Sequence, residues 1–245
     1  MKQTMKHLLD NPVYQALLSG NRNLARGTGE VSYFDRNVSP FVGLKENSPS
    51  YFRKLAGVLP DSGKRAVMSA DPLEVPPCFK IFEAVPVLQM VYHGSGEKPE
   101  QGQQQIRSLG EADVTEMVAL TKLTRPGPFD RGTLLFGHYR GVFINGQLAA
   151  MAGQRMHPLP YAEISAVCTH PAFRGMGLAG RLITDQVQRI LANTEVPILH
   201  VKTDNTPAIR LYAALGFGVR KAMTVFILER AAGGVAAGAG ARDEK

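Results

Sequence analysis

The run Thr169-His170-Pro171-Ala172-Phe173-Arg174-Gly175-Met176-Gly177-Leu178-Ala179-Gly180 constrains this chain more than any other stretch. Before it, Ile164 to Cys168 is apolar and reads as strand. After it, Leu178, Leu182, Ile183, Val187, Ile190 and Leu191 fall on one face of a helix. A strand thus feeds a helix through a short turn carrying an arginine and glycines. Backbone amides at a helix start are unpaired donors, and the helix dipole is positive there. Glycines let an anion approach the backbone closely, so the segment reads as a phosphate site. A phosphate-bearing cofactor is the expected ligand.

The glycines at 175, 177 and 180 also satisfy GxGxxG, the dinucleotide fingerprint. That fingerprint sits directly on the first strand of a βαβ unit. Here six residues, including Pro171, separate Cys168 from Gly175, and about 65 residues follow Gly180. That is too little chain for the βαβαβ half such a fold needs.

The remaining second half gives a clear series of elements. Ile106-Arg107-Ser108-Leu109 is strand-like. Asp113 is placed to cap a helix carrying Val114, Met117, Val118 and Leu120, which Arg125-Pro126-Gly127-Pro128 ends. Tyr139 to Ile144, Asn145-Gly146 and Gln147 to Arg155 carry a hairpin signal. Tyr161 to Thr169 and Pro197 to Lys202 are strands. Thr206 is expected to cap a last helix, with Pro207 at its first position and Gly216 after its end. Val219 to Leu228 supplies the closing strands.

The first half is less regular. Helices are expected from Asn11-Pro12 to Leu18 and from Ser50 to Leu59, and strands at Val31 to Phe34 and Arg65 to Met68. Phe79 to Tyr92 is apolar but interrupted by proline, so it is expected to be broken or an edge strand. Residues 94–105 are rich in Gly, Pro and polar side chains and read as a linker. The expected organisation is an N-terminal α/β region at 1–95, a linker at 96–103, a main domain at 104–230 and a flexible tail at 231–245.

Composition narrows the functional classes. The 245 residues are 44% hydrophobic and 20% charged, ordinary for a globular protein. The net charge of +7 favours anionic ligands, yet Lys and Arg are scattered without a run of five or six, which argues against nucleic acid. The two cysteines, Cys78 and Cys168, form no CxxC pair, so no structural metal is expected. No segment reads as a signal peptide or approaches the roughly 20 apolar residues of a membrane helix, so a reduced, cytoplasmic setting without membrane contact is expected.

Arg174-Gly175-Met176-Gly177-Leu178-Ala179 resembles the [R/Q]-x-x-G-x-[G/A] pyrophosphate loop of the GNAT superfamily of CoA-dependent N-acetyltransferases. Asn205-Thr206-Pro207-Ala208-Ile209-Arg210-Leu211-Tyr212-Ala213-Ala214-Leu215-Gly216-Phe217 is similar to that superfamily's second signature, an asparagine after a strand and a tyrosine before Gly-Phe. The resemblance covers roughly residues 104–230. A less regular N-terminal half before such a domain is also similar to the glycine N-acyltransferase-like branch.

The resemblance implies a mixed, mainly antiparallel twisted sheet with flanking helices. It implies acetyl-CoA as co-substrate, no metal, and a primary amine on a small molecule or peptide as acceptor. Amides of Gly175, Met176, Gly177, Leu178, Ala179 and Gly180, with Arg174, would hold the diphosphate. Backbone groups at Val167 and Thr169 would meet the pantetheine arm and acetyl carbonyl, and Asn205 the pantetheine amides. Tyr212 would protonate the leaving thiolate, and Glu163 would be the base, on the expectation that it shares a strand face with Val167 and Thr169. Arg125, on the loop that borders the acceptor, is a candidate to grip a carboxylate. Cys168 reads as a small buried residue. Use of a longer acyl-CoA, or a CoA-sensing or protein-binding role without catalysis, stays open at this point, as do the acceptor and the oligomeric state.

Overall fold

The computed structural model describes residues 7–60, 63–96 and 105–231. Most of the expected linker and tail lie outside the described residues. The main sheet has eight strands: β4 Arg65–Ser69, β5 Phe79–Tyr92, β6 Ile106–Ser108, β7 Arg140–Ile144, β8 Gln147–Gln154, β9 Tyr161–Thr169, β10 Val196–Lys202 and β11 Phe217–Arg230. Their order is β4-β11-β5-β10-β9-β8-β7-β6. Every pairing is antiparallel except β9 with β10. A second, three-stranded antiparallel sheet is made of β1 Ala25–Gly27, β2 Val31–Phe34 and β3 Val42–Leu44. The helices are α1 Pro12–Leu18, α2 Pro49–Val58, α3 Val114–Thr124, α4 Leu178–Ala192 and α5 Thr206–Ala214. This is the mixed, mostly antiparallel architecture expected from sequence.

Local chemistry explains several boundaries. Pro12 and Pro49 open α1 and α2, where a missing N–H costs no helical hydrogen bond. Asn145 and Gly146 both have positive φ, 50° and 77°, the conformation a two-residue hairpin turn requires between β7 and β8. Asn205, rather than Thr206, caps α5, its side chain accepting from the Ala208 amide at 3.3 Å. Asp113 does not cap α3 with its side chain. Its carboxylate instead accepts from the Gly110 amide and pairs with Arg107.

Packing follows the predicted α4 stripe. Ile183, Val187 and Ile190 bury against Met90, Ala162, Ile164 and Leu199, while Leu178 and Leu182 meet Val142, Ala150 and Ala152. Full burial of each such aliphatic side chain contributes about 1.5–3 kcal/mol. α3 covers the opposite face, where Met117 and Leu120 meet Tyr139, Met151 and Cys168.

Expectations for the strands differ from the structure. Residues 79–92 form one unbroken 14-residue strand inside the sheet, paired with β11 along its length and with β10 over its second half. Pro86 is tolerated because its ring nitrogen faces the side where β10 has just ended; the carbonyl on that side accepts from Thr203 beyond β10. β4 and β5, which precede the linker expected at 96–103, are built into the sheet of the second half. The closing strands expected at Val219 to Leu228 are one strand, β11, with a bulge between Val219 and Lys221.

Candidate active site

β9 and β10 pair at only three positions, Tyr161 with Val196, Ala162 with Pro197 and Glu163 with Ile198. Beyond them the two strands diverge, and a cavity of about 500 Å³ opens there. The C-terminal part of β9 forms one wall, from Ile164 to Thr169, and the end of β10 with Asn205 and Tyr212 forms another. A third wall is apolar and comes largely from the first half of the chain: Phe41, Ala66, Met68, Val85 and Val87.

The expected residues Arg125, Val167, Thr169, Arg174, Asn205 and Tyr212 all line this one cavity. Gly175 to Gly180 do not line it; they continue from Arg174 along an exposed turn into α4. Gly175 and Gly177 have φ of 81° and 71°, so L side chains there would be strained although space around both is open. Gly177 is the N-cap, without a side-chain cap bond, so the first amides of α4 keep their donor capacity. The loop thus has the conformation and exposure for a diphosphate.

Tyr212 sits on α5 with its ring buried and edge-on to Phe217, 6.2 Å between centroids. Burial, with the nearby Cys168 thiol, pushes its pKa up to about 12, so the phenol keeps its proton. Cys168 is itself buried, and burial raises its pKa to about 11, which leaves it an unreactive thiol.

Glu163 is corrected in place. Met151 opposes Cys168 and Gly153 opposes Ser165, so β9 takes three steps where β8 takes two. The extra residue is a bulge, and Ala166 has the left-handed φ of 53°. The bulge reverses the side-chain alternation. Ala162, Ile164 and Val167 pack toward α4, whereas Ala166 and Cys168 pack toward α3. Glu163 therefore faces away from Val167 and Thr169 and does not line the cavity.

Its carboxylate is fully buried and accepts from Arg155 Nε at 2.9 Å, the Met156 amide at 3.1 Å and His200 Nδ1 at 2.8 Å. Burial would raise its pKa, but the Arg155 charge and these hydrogen bonds outweigh burial and hold it at about 2. Such a group holds no proton at neutral pH and has little basicity with which to take one.

The contacts continue past His200. Gln89 Oε1 accepts from Arg220 at 2.7 Å, so Gln89 Nε2 is the donor to the Leu9 carbonyl and to His200 Nε2 at 3.0 Å. His200 then donates from Nδ1 to Glu163. Arg220, lifted out of register by the β11 bulge, also reaches Asp10 at 2.8 Å. Arg155, Ser165, His200, Lys202 and Glu83 line the cavity and were not singled out in sequence. The signal for Arg155 was faint: a polar pair, Gln154-Arg155, ends an apolar strand.

Among the described residues no group of three or more His, Cys, Asp or Glu is arranged to hold a metal ion, and no helix is long and apolar enough to cross a membrane.

The family model described as FR47-like protein matches residues 139–227, the span from β7 into β11. The chain is 35% identical over 82 residues to a mycothiol acetyltransferase of Thermomonospora curvata and 34% identical over 84 residues to the N-alpha-acetyltransferase RimI of Mycobacterium tuberculosis. These matches take in 31% and 33% of this chain, and only 27% and 51% of the length of those proteins. A GCN5-related N-acetyltransferase from Kribbella flavida shares the fold at 16% identity, with a TM-score of 0.59 over 90% of this chain and 95% of that one. A putative acetyltransferase of the GNAT family from Novosphingobium aromaticivorans superposes with a TM-score of 0.85 over 93% of this chain. Since that protein is 38% identical and is covered over 100% of its length, the chain belongs to the GNAT family.

Proposed function

We propose that this protein transfers an acetyl group from acetyl-CoA to a primary amine by direct attack, without an acyl-enzyme. The observation that carries the reading is that Val167, Thr169, Arg174, Asn205 and Tyr212 meet in one cavity where β9 leaves β10. Acetyl-CoA, when bound, supplies the activated thioester. The exposed amides after Arg174 hold its diphosphate, since Gly175 and Gly177 already have the φ values that turn backbone donors outward. The strand edge at Val167 to Thr169 has no β10 partner, so its backbone groups are available to orient the pantetheine arm and polarise the carbonyl. Asn205 uses its side-chain oxygen to cap α5, which leaves its amide nitrogen for the cofactor. Tyr212 Oη, kept protonated by its raised pKa, gives its proton to the departing thiolate and regains one from solvent. Glu163 is not the base in this reading; the amine loses its proton to solvent in the cavity.

The organisation follows from the same cavity. Residues 104–230 supply the cofactor side, and residues 1–95 wall the acceptor side through Phe41, Ala66 and Met68. That shared cavity supports the glycine N-acyltransferase-like branch over branches built from the second half alone.

Calorimetric titration of CoA into the full chain, followed by thiol release from acetyl-CoA with a pool of amines, tests the reading. Heat on titration and amine-dependent thiol release are expected. A folded protein giving neither would overturn it, and thiol release with a longer acyl donor alone would replace the donor.

A further inference from the structure

The acceptor end of the cavity carries a fixed guanidinium that the transfer chemistry does not use. Arg155 follows β8 and directs Nε and Nη2 onto the two oxygens of Glu163. Its guanidinium also lies over the Phe41 ring, 5.0 Å from the centroid. With Glu163 held in turn by the Met156 amide and His200, the guanidinium is anchored on one edge and one face. Among the described residues its third nitrogen, Nη1, has no hydrogen-bond partner, yet Arg155 lines the cavity. A guanidinium edge at a half-buried site is best met by a planar oxyanion.

The neighbouring charges agree. Glu163 neutralises Arg155, so that pair alone would not draw in an anion. Among the described residues Arg125 has no ion-pair partner, and it adds uncompensated charge. It is exposed, ends α3 in a left-handed conformation (φ 51°), and lines the same cavity. The Pro126-Gly127-Pro128 turn that follows it shares a side pocket with Arg155 and Ser165, which sets both arginines at one end. Lys202 stands beside Asn205, whose amide donates to its carbonyl, and Arg174 leads into the glycine turn. Among the described residues Glu83 is the sole carboxylate lining the cavity. The remaining wall is apolar, with Phe41, Met68, Val85, Val225 and Ile227, and Glu83 stands on it opposite Ile227.

We propose that Arg155 and Arg125 form a carboxylate-binding site, and that the acceptor is a free amino acid with an apolar side chain. The proposal rests on the acetyl-transfer reading for its amine, but not for its carboxylate. Orientation follows: the carboxylate meets the arginines, the side chain lies on the apolar wall, and the amine is left facing the splayed edge of β9. The apolar wall favours a large side chain over glycine.

The test is calorimetric titration of phenylalanine, phenylalaninamide, phenethylamine and glycine into the full chain, with and without saturating CoA. Phenylalanine is expected to bind about tenfold or more tightly than the amide or the amine, the usual effect of losing a charged hydrogen-bond partner, and more tightly than glycine. Arg125→Gln, on an exposed loop, should erase most of the preference for the acid. Arg155→Gln alone would strand a buried carboxylate, so Arg155→Gln is combined with Glu163→Gln, which removes both charges together; this pair of changes should erase the preference as well. Equal binding of acid and amide, or no binding of either while CoA binds, would overturn the carboxylate site and leave acetyl transfer standing. A preference for the acid in a protein that does not bind CoA would keep the site and overturn acetyl transfer.

Discussion

Arg155 Nε lies 2.9 Å from Glu163 Oε2, and Arg155 Nη2 lies 2.5 Å from Glu163 Oε1, with both side chains nearly withdrawn from water. This bidentate pair converts a carboxylate expected to act as a base into the counter-ion of a cavity arginine.

Glu163→Gln should therefore destabilise the fold rather than change the chemistry. Breaking one side of a buried pair costs about 3–5 kcal/mol. The folded-state pKa of Glu163 is held at about 2 against an ordinary value of 4.5. Its carboxylate thus stabilises the fold above pH 4.5, and that contribution fades as pH falls toward 2. Denaturant unfolding of both proteins should show a gap that is wide at neutral pH and closes in acid. A folded variant whose turnover gains a new pH dependence near neutrality would restore Glu163 as the base.

Tyr212→Phe should lower kcat about a hundredfold, the usual scale for losing a general acid, and leave the acetyl-CoA affinity intact. Because burial pushes the Tyr212 pKa up to about 12, wild-type kcat should show no alkaline loss from this group below pH 10. Steady-state kinetics across pH check both points. Undiminished turnover in the variant would remove the general-acid role.

Gly177→Ala adds a side chain at φ 71°. The left-handed conformation costs an L residue about 1–2 kcal/mol, which corresponds to a fivefold to thirtyfold range. If the loop keeps its shape, the cost falls on stability; if it relaxes, it falls on CoA binding. Melting and CoA titration together should account for it. A variant matching wild type in both would show that the loop does not need its backbone geometry.

A fragment of residues 104–230 should fail to melt cooperatively. It lacks β5, which lies between β10 and β11 and pairs with both. Deleting an internal strand leaves two rows of unpaired backbone groups and opens the apolar clusters around Met90 and Met68. Circular dichroism with a sharp thermal transition would show instead that the second half is independent.

Features carried by neighbouring residues were legible in the sequence. Asn145-Gly146 fixed a hairpin because both residues tolerate positive φ, and the α4 stripe fixed a helix because burial recurs at its period. The glycines after Arg174 marked a turn with left-handed φ before α4, and Asn205 and Tyr212 were placed by their spacing at the cap and on the face of α5. Face assignments along β9 failed for a physical reason: alternation holds only while the strand is regular, and the bulge at Ala166 shifts the parity. Pro86 misled in the same way, since a proline is compatible with an internal strand when its nitrogen faces a gap.

The chain by itself settled what short-range stereochemistry can settle: the glycine turn before α4, the capped helix bearing the phenol, and the alternation of strands and helices of a GNAT-family sheet. Tertiary structure alone decided which charges meet. Arg155, Glu163, His200 and Gln89 come from four strands or their ends, and their joint burial fixes who holds a proton. Coulomb interactions and desolvation depend on distance through space, and residues 89 and 200, hydrogen-bonded in the sheet, are 111 positions apart along the chain.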